Sequence, residues 1–121
     1  MKIKEITPPR QFEVGHDDGK LTLNHVLDLT LDPDEQVTLT TPEGREFDVV
    51  RKSWGYYATP SLNGRLKSFG YRSALIKSGA KRFVLFADAD KLDEFHAYLT
   101  AQNMQVLCWL DGDEIEWVNH E

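Results

Sequence analysis

Apolar and polar residues alternate along most of the first half of the chain. In LTLNHVLDLTL, Leu27, Leu29 and Leu31 recur at every second position, the period of a strand with one covered face. QFEV (Gln11–Val14) has the same character, and the intervening GHDDGK is a turn by composition. LDPDE is a second turn: Pro33 presets a turn angle, and its aspartate neighbours accept local backbone hydrogen bonds. QVTLTT, PEG and REFDVVR form the clearest hairpin, with Val37 and Leu39 facing Phe47 and Val49 across a glycine-containing loop.

The pattern resumes after residue 70. YRSALIK, a SGA turn and KRFVLFA read as another hairpin, and the unbroken apolar run Phe83 to Ala87 predicts a strand buried on both faces. DADKLDEFHAYLTAQN then changes to helical spacing, predicting one principal helix at about 90–102. Leu92, Phe95 and Leu99 form its stripe, Asp88 or Asp90 its cap and Asn103 its left-handed stop. MQVLCWL follows as a strand, DGD as a turn and EIEWV as an edge strand. A helix of about 12 residues returns the chain about 18 Å, the length of a short strand, so strand, helix and strand close as a βαβ unit. The expected fold is a single small α+β domain over 1–121: a mainly antiparallel sheet, or two packed sheets, with that helix on one face.

Composition narrows the class without naming an activity. With 121 residues, 40% hydrophobic and 28% charged, the chain has the makeup of one ordinary globular domain. MKIKEITPPRQ has no apolar signal core and no stretch reaches membrane-helix length, so a cytoplasmic location without membrane association is expected. The single cysteine, Cys108, lies in an apolar run and reads as a small core residue. No phosphate-binding glycine loop, nucleophile elbow, CxxC pair or HExxH helix is present. His16, Asp17 and Asp18 are metal-ligand types, but adjacent ligands in a turn rarely enclose an ion, and neither a metal nor a cofactor is assigned. His96 reads as a surface or boundary residue, and His120 belongs to the chain's end.

Charge distribution points to the middle of the chain. The net charge is −6, yet residues 45–82 hold nine Lys or Arg against Glu46 and Asp48, a local +7 between acidic flanks. Within that segment, SWGYYATPSLNGRLKSFGYR (Ser53 to Arg72) carries five of the 13 aromatic residues. It reads as a long loop shaped by glycines at 55, 64 and 70 and by Pro60, with Gly64 at positive φ in an Asn-Gly turn. One reading makes it a compact loop packing its own aromatics. The other makes it a binding surface, where Trp54, Tyr56 and Tyr57 stack on a sugar or base while Asn63, Arg65, Lys67 and Arg72 meet phosphate or carboxylate.

The run DEQVTLTTPEGREFDVVRKSWGYYATPSLNGRLKSFGYRSALIK, above all WGYYATPSLNGRL, resembles a small group of uncharacterised bacterial proteins associated with surface-polysaccharide and sugar-methyltransferase gene neighbourhoods. The resemblance implies a cytoplasmic accessory role in building a glycan and assigns no residue a role. Three functions are therefore weighed. The first is a non-catalytic binding or accessory module engaging a nucleotide-sugar, another anionic small ligand, or the partner enzyme that handles one. The second is a small sugar-modifying enzyme using a tyrosine hydroxyl or Asp48, disfavoured because the basic segment has no histidine or carboxylate pair for acid–base work. The third is a single-stranded nucleic-acid binder, disfavoured because the acidic flanks repel a long polyanion. Neither the ligand nor the oligomeric state is readable.

Overall fold

The computed structural model describes residues 1–15 and 20–119. His16, Asp17, Asp18 and His120 lie outside them. The chain is α+β and mostly antiparallel, and it divides into two compact units, Met1–Thr59 and Pro60–Glu121.

Among the described residues, the regular structure of the first unit is entirely β. Strands β1 (Lys2–Val14) and β2 (Leu21–Thr30) form a long two-stranded ribbon. Its register breaks between Glu5 and Arg10, where Pro8 and Pro9 interrupt β1; proline cannot donate to a ladder, so it sits where the ladder is already broken. The alternation in LTLNHVLDLTL anticipates the whole of β2, whereas QFEV anticipates only the distal part of β1. Strands β3 (Gln36–Thr40), β4 (Glu46–Lys52) and β5 (Gly55–Ala58) make a three-stranded sheet. As the pattern predicts, Val37 pairs with Val49 and Leu39 with Phe47. Leu31 and Val50 are the buried apolar side chains of this unit among the described residues. Beside them, the buried carboxylate of Asp48 accepts from the hydroxyls of Thr38 (2.5 Å) and Thr59 (3.0 Å), which compensates for its loss of water.

The second unit is a four-stranded sheet in the order β7-β6-β8-β9, built from β6 (Tyr71–Ser78), β7 (Lys81–Asp88), β8 (Gln105–Trp109) and β9 (Glu116–Trp117). Strand β6 is antiparallel to both β7 and β8, so those two run parallel on either side of it. The helix α2 (Leu92–Ala101) connects them, completing the predicted βαβ unit with β6 inserted between its strands. Ala74, Ile76, Val106, Trp109 and Leu99 close the core, with Leu85, Leu92, Phe95 and Met104 against it. Cys108 is buried.

Two local expectations are corrected and a third holds. Strand β7 is an edge strand, and Phe83, Val84 and Phe86 are 43, 46 and 37% exposed; only Ala87 in that run is buried. A continuous apolar run marks two covered faces only when the strand is central. Neither Asp88 nor Asp90 caps α2, whose entry is the 3-10 turn Ala89–Lys91, without a side-chain cap hydrogen bond. Asn103 does end the helix, at φ 56°.

Candidate functional site

The stretch from Ser53 to Arg72 is not a loop. It contains the β4–β5 turn, strand β5, the one-turn helix α1 (Arg65–Ser68) and the start of β6, and the boundary between the two units falls after Thr59.

In the first unit, strand alternation separates Tyr56 from Tyr57 and leaves Trp54 with the latter. Tyr56 pairs with Arg51 and Tyr57 with Val50, so the tyrosines point to opposite sides of β5. The Arg51 guanidinium lies 5.5 Å from the Tyr56 ring centre, whereas Trp54 stacks on Tyr57 at 6.2 Å and 15°. Trp54, Tyr56 and Tyr57 are 70, 61 and 44% exposed, so they do not form a satellite core. Beside them Lys52 meets Asp34 at 2.5 Å, and that hydrogen bond raises its pKa above the ordinary lysine value.

In the second unit, Leu66 anchors α1 with no exposed surface, while Asn63, Arg65 and Lys67 stand exposed around it. Gly64 does not take the expected positive φ; its angles are −125° and −103°. Close approach favours glycine instead: a Cβ there would lie 2.3 Å from Ser61 Oγ, so that hydroxyl would have to turn away and give up the Arg65 amide it accepts from at 3.3 Å.

Arg72 occupies a more elaborate setting. It shares a face of β6 with Ala74 and Ile76, the face that α2 covers, and Trp109 lies opposite Ala74 on β8. The diagonal neighbour therefore lies over the indole, and the guanidinium carbon sits 3.9 Å from the Trp109 ring centre. Asp111, just past the end of β8, is buried and accepts from Arg72 Nε at 3.2 Å. His96 of α2 meets the same indole edge-on at 6.3 Å and 82°. Arg72, His96, Thr100, Met104, Trp109 and Val118 line a cavity of about 420 Å³, within the size range of small-molecule sites. None of Asn63, Arg65 or Lys67 lines it.

This arrangement places a guanidinium plane with one carboxylate on its Nε edge and an aromatic face beneath. Such an arginine suits the planar, bidentate recognition of a carboxylate or phosphate. Sequence reasoning found Arg72 but missed Trp109, His96 and Asp111. The available signal was the DGD motif in the acidic C-terminal flank, one strand away from a basic β6. Among the described residues no group of three His, Cys, Asp or Glu side chains converges as a metal site, and no helix is long and apolar enough to cross a membrane. No protein-family model, curated protein or solved structure matches the chain.

Proposed function

We propose that the protein is a non-catalytic binding module for a small anionic, sugar-containing ligand, whose charged group is received by Arg72. The observation that carries this reading is the fixed guanidinium between Trp109 and Asp111 at a cavity that His96 also lines. Asp111 offsets part of the arginine's charge, so the site favours one compact anion over a long polyanion. The volume suits a sugar phosphate or the charged end of a nucleotide-sugar. The resemblance of the middle of the chain to proteins of polysaccharide gene neighbourhoods favours a sugar as the remainder of the ligand and an accessory role beside the enzyme that handles it. The exposed Trp54–Tyr57 stack offers a further aromatic face for a sugar or a partner.

An enzymatic reading has less support. The Asp48 carboxylate is buried between two threonine hydroxyls, so it is occupied in holding β3, β4 and the chain after β5 together.

The test is an amide chemical-shift screen of the full chain with sulfate, sugar phosphates, nucleotide-sugars and a short oligonucleotide. The proposal expects shifts centred on Arg72, His96, Thr100 and the Trp109 indole, largest for a phosphorylated sugar. If no anion moves those signals at millimolar concentration, the pocket is a packing feature.

A further inference from the structure

The turn joining β6 to β7 concentrates positive charge without a counter-ion among the described residues. In the antiparallel register Lys77 lies directly opposite Arg82, and Lys81 follows Gly79-Ala80 on the other side of a two-residue loop. Like charges placed opposite one another weaken a strand pair. Among the described residues, none of the three cations forms an ion pair or side-chain hydrogen bond that would relieve this repulsion. They line, with Gly79, Ala80 and Leu107, a depression of about 400 Å³ that no acidic side chain enters. Gly79 holds φ at +60°, the hand that a tight hairpin loop requires, and the position a Cβ would occupy there is open. Lys77 and Arg82 are thus fixed by a strand register, and small residues between them leave room for a ligand.

We propose that this turn is a second, separate binding site, for a phosphate-bearing anion. The Lys77 ammonium and the Arg82 guanidinium fork, directly opposed and so on one face of the hairpin, supply the charge and the donors that a phosphate group accepts, with Lys81 adding charge at the rim, and a bound anion would turn the repulsion across the hairpin into attraction. The site shares no lining residue with the Arg72 cavity, and Arg72 and Lys77 lie towards opposite ends of β6. The shared chemistry is the phosphate group, whether it is carried by a free small molecule or by a nucleic-acid backbone.

The experiment titrates the labelled full chain at low salt with inorganic phosphate, tripolyphosphate and a short single-stranded oligonucleotide, following the amides of Lys77 to Arg82. Saturable shifts there are expected, with tripolyphosphate binding more tightly than phosphate. A double variant, Lys81→Ala with Arg82→Ala, should bind about tenfold more weakly or worse while its melting temperature holds or rises, since it also removes the cross-strand repulsion. Lys77→Gln, a single change on the other strand, should weaken binding in the same direction. Tighter binding of the oligonucleotide at equal phosphate count assigns the site to a strand backbone; equal or weaker binding assigns it to a free phosphate compound. Signals of Arg72 and His96 should respond identically in the parent and the double variant, so this site and the Arg72 pocket fail or stand separately. The proposal is overturned if the turn amides do not move with any probe, if sodium chloride at matched ionic strength moves them equally, or if the substituted chains bind as the parent does.

Discussion

In the second unit Ala74, Ile76, Leu99, Val106 and Trp109 close a common core under α2, whereas in the first only Leu31 and Val50 are buried apolar residues among those described. Phe12 pairs with Leu23 and Val14 with Leu21 in the ribbon, and these four side chains remain 37 to 45% exposed. Both units began from the same signal, a period of two. The difference shows that alternation specifies strands and their pairing but does not create an interior. A core requires a second layer, and among the described residues only the second unit has a helix to supply one. The candidate chemistry follows the same division. A guanidinium can be held over an indole and against a buried carboxylate only where the surrounding side chains are fixed, and that is on the α2-covered face of β6.

Core substitutions should separate the units most strongly. Leu99→Ala, at a position only 3% exposed, should cost about 2–5 kcal/mol in chemical denaturation. Phe95, partly exposed, should lose less than Leu99 on truncation; an equal loss would mean that the helix packs more deeply than its exposure indicates.

A smaller effect is expected at the entrance to the second unit. Gly64→Ala should cost about 1–3 kcal/mol because the added methyl collides with Ser61 Oγ. Combining it with Ser61→Ala should recover part of that loss. Additive penalties in the double variant would show that backbone conformation, not the close approach, requires the glycine.

In the ribbon, Leu23→Ala should cost about 1 kcal/mol or less, since it removes one cross-strand contact and leaves no enclosed cavity. A loss comparable to that of Leu99→Ala would break the comparison between the units. Hydrogen exchange on the parent should agree, with the slowest amides in the middle of β6 and fast ones in β1 and β2. The smallest effect is expected at Lys52. Its exposed pair with Asp34 raises the lysine pKa, so any contribution is complete below about pH 10.5, the ordinary value, and fades as pH rises through the raised one. Lys52→Met should leave the melting temperature at neutral pH unchanged.

Much of the fold was legible because it is local. The Val37/Val49 and Leu39/Phe47 register, the β6–β7 hairpin and the Asn103 stop all follow from residues near one another in sequence. The failures share a different cause. Whether β7 lies at an edge depends on which strand β6 accepts on its other side, and the run Phe83 to Ala87 carries no record of that. Pro8 and Pro9 hid the first part of β1, because a long ribbon can interrupt its ladder at a bulge and resume pairing. The site was half legible. Local basicity singled out Arg72, but its partners arrive from α2 and β8, and Tyr56 and Tyr57, adjacent in sequence, are separated by the pleat.

The central claim is that Arg72 is held in place in order to bind an anion, and not solely to brace the sheet. Arg72→Lys keeps the positive charge beside Asp111 but loses the planar fork, while His96→Ala alters the exposed side of the cavity without disturbing the ion pair. Affinity for the best phosphorylated sugar and melting temperature, measured together on these two variants, test the claim most directly. The account predicts that Arg72→Lys weakens binding by about 1.5–3 kcal/mol, the range for a charged hydrogen bond, and that His96→Ala weakens it with no change in melting temperature. Unchanged affinity in both variants, with a lowered melting temperature for Arg72→Lys alone, would show that the arginine serves the fold and that the cavity binds nothing through it.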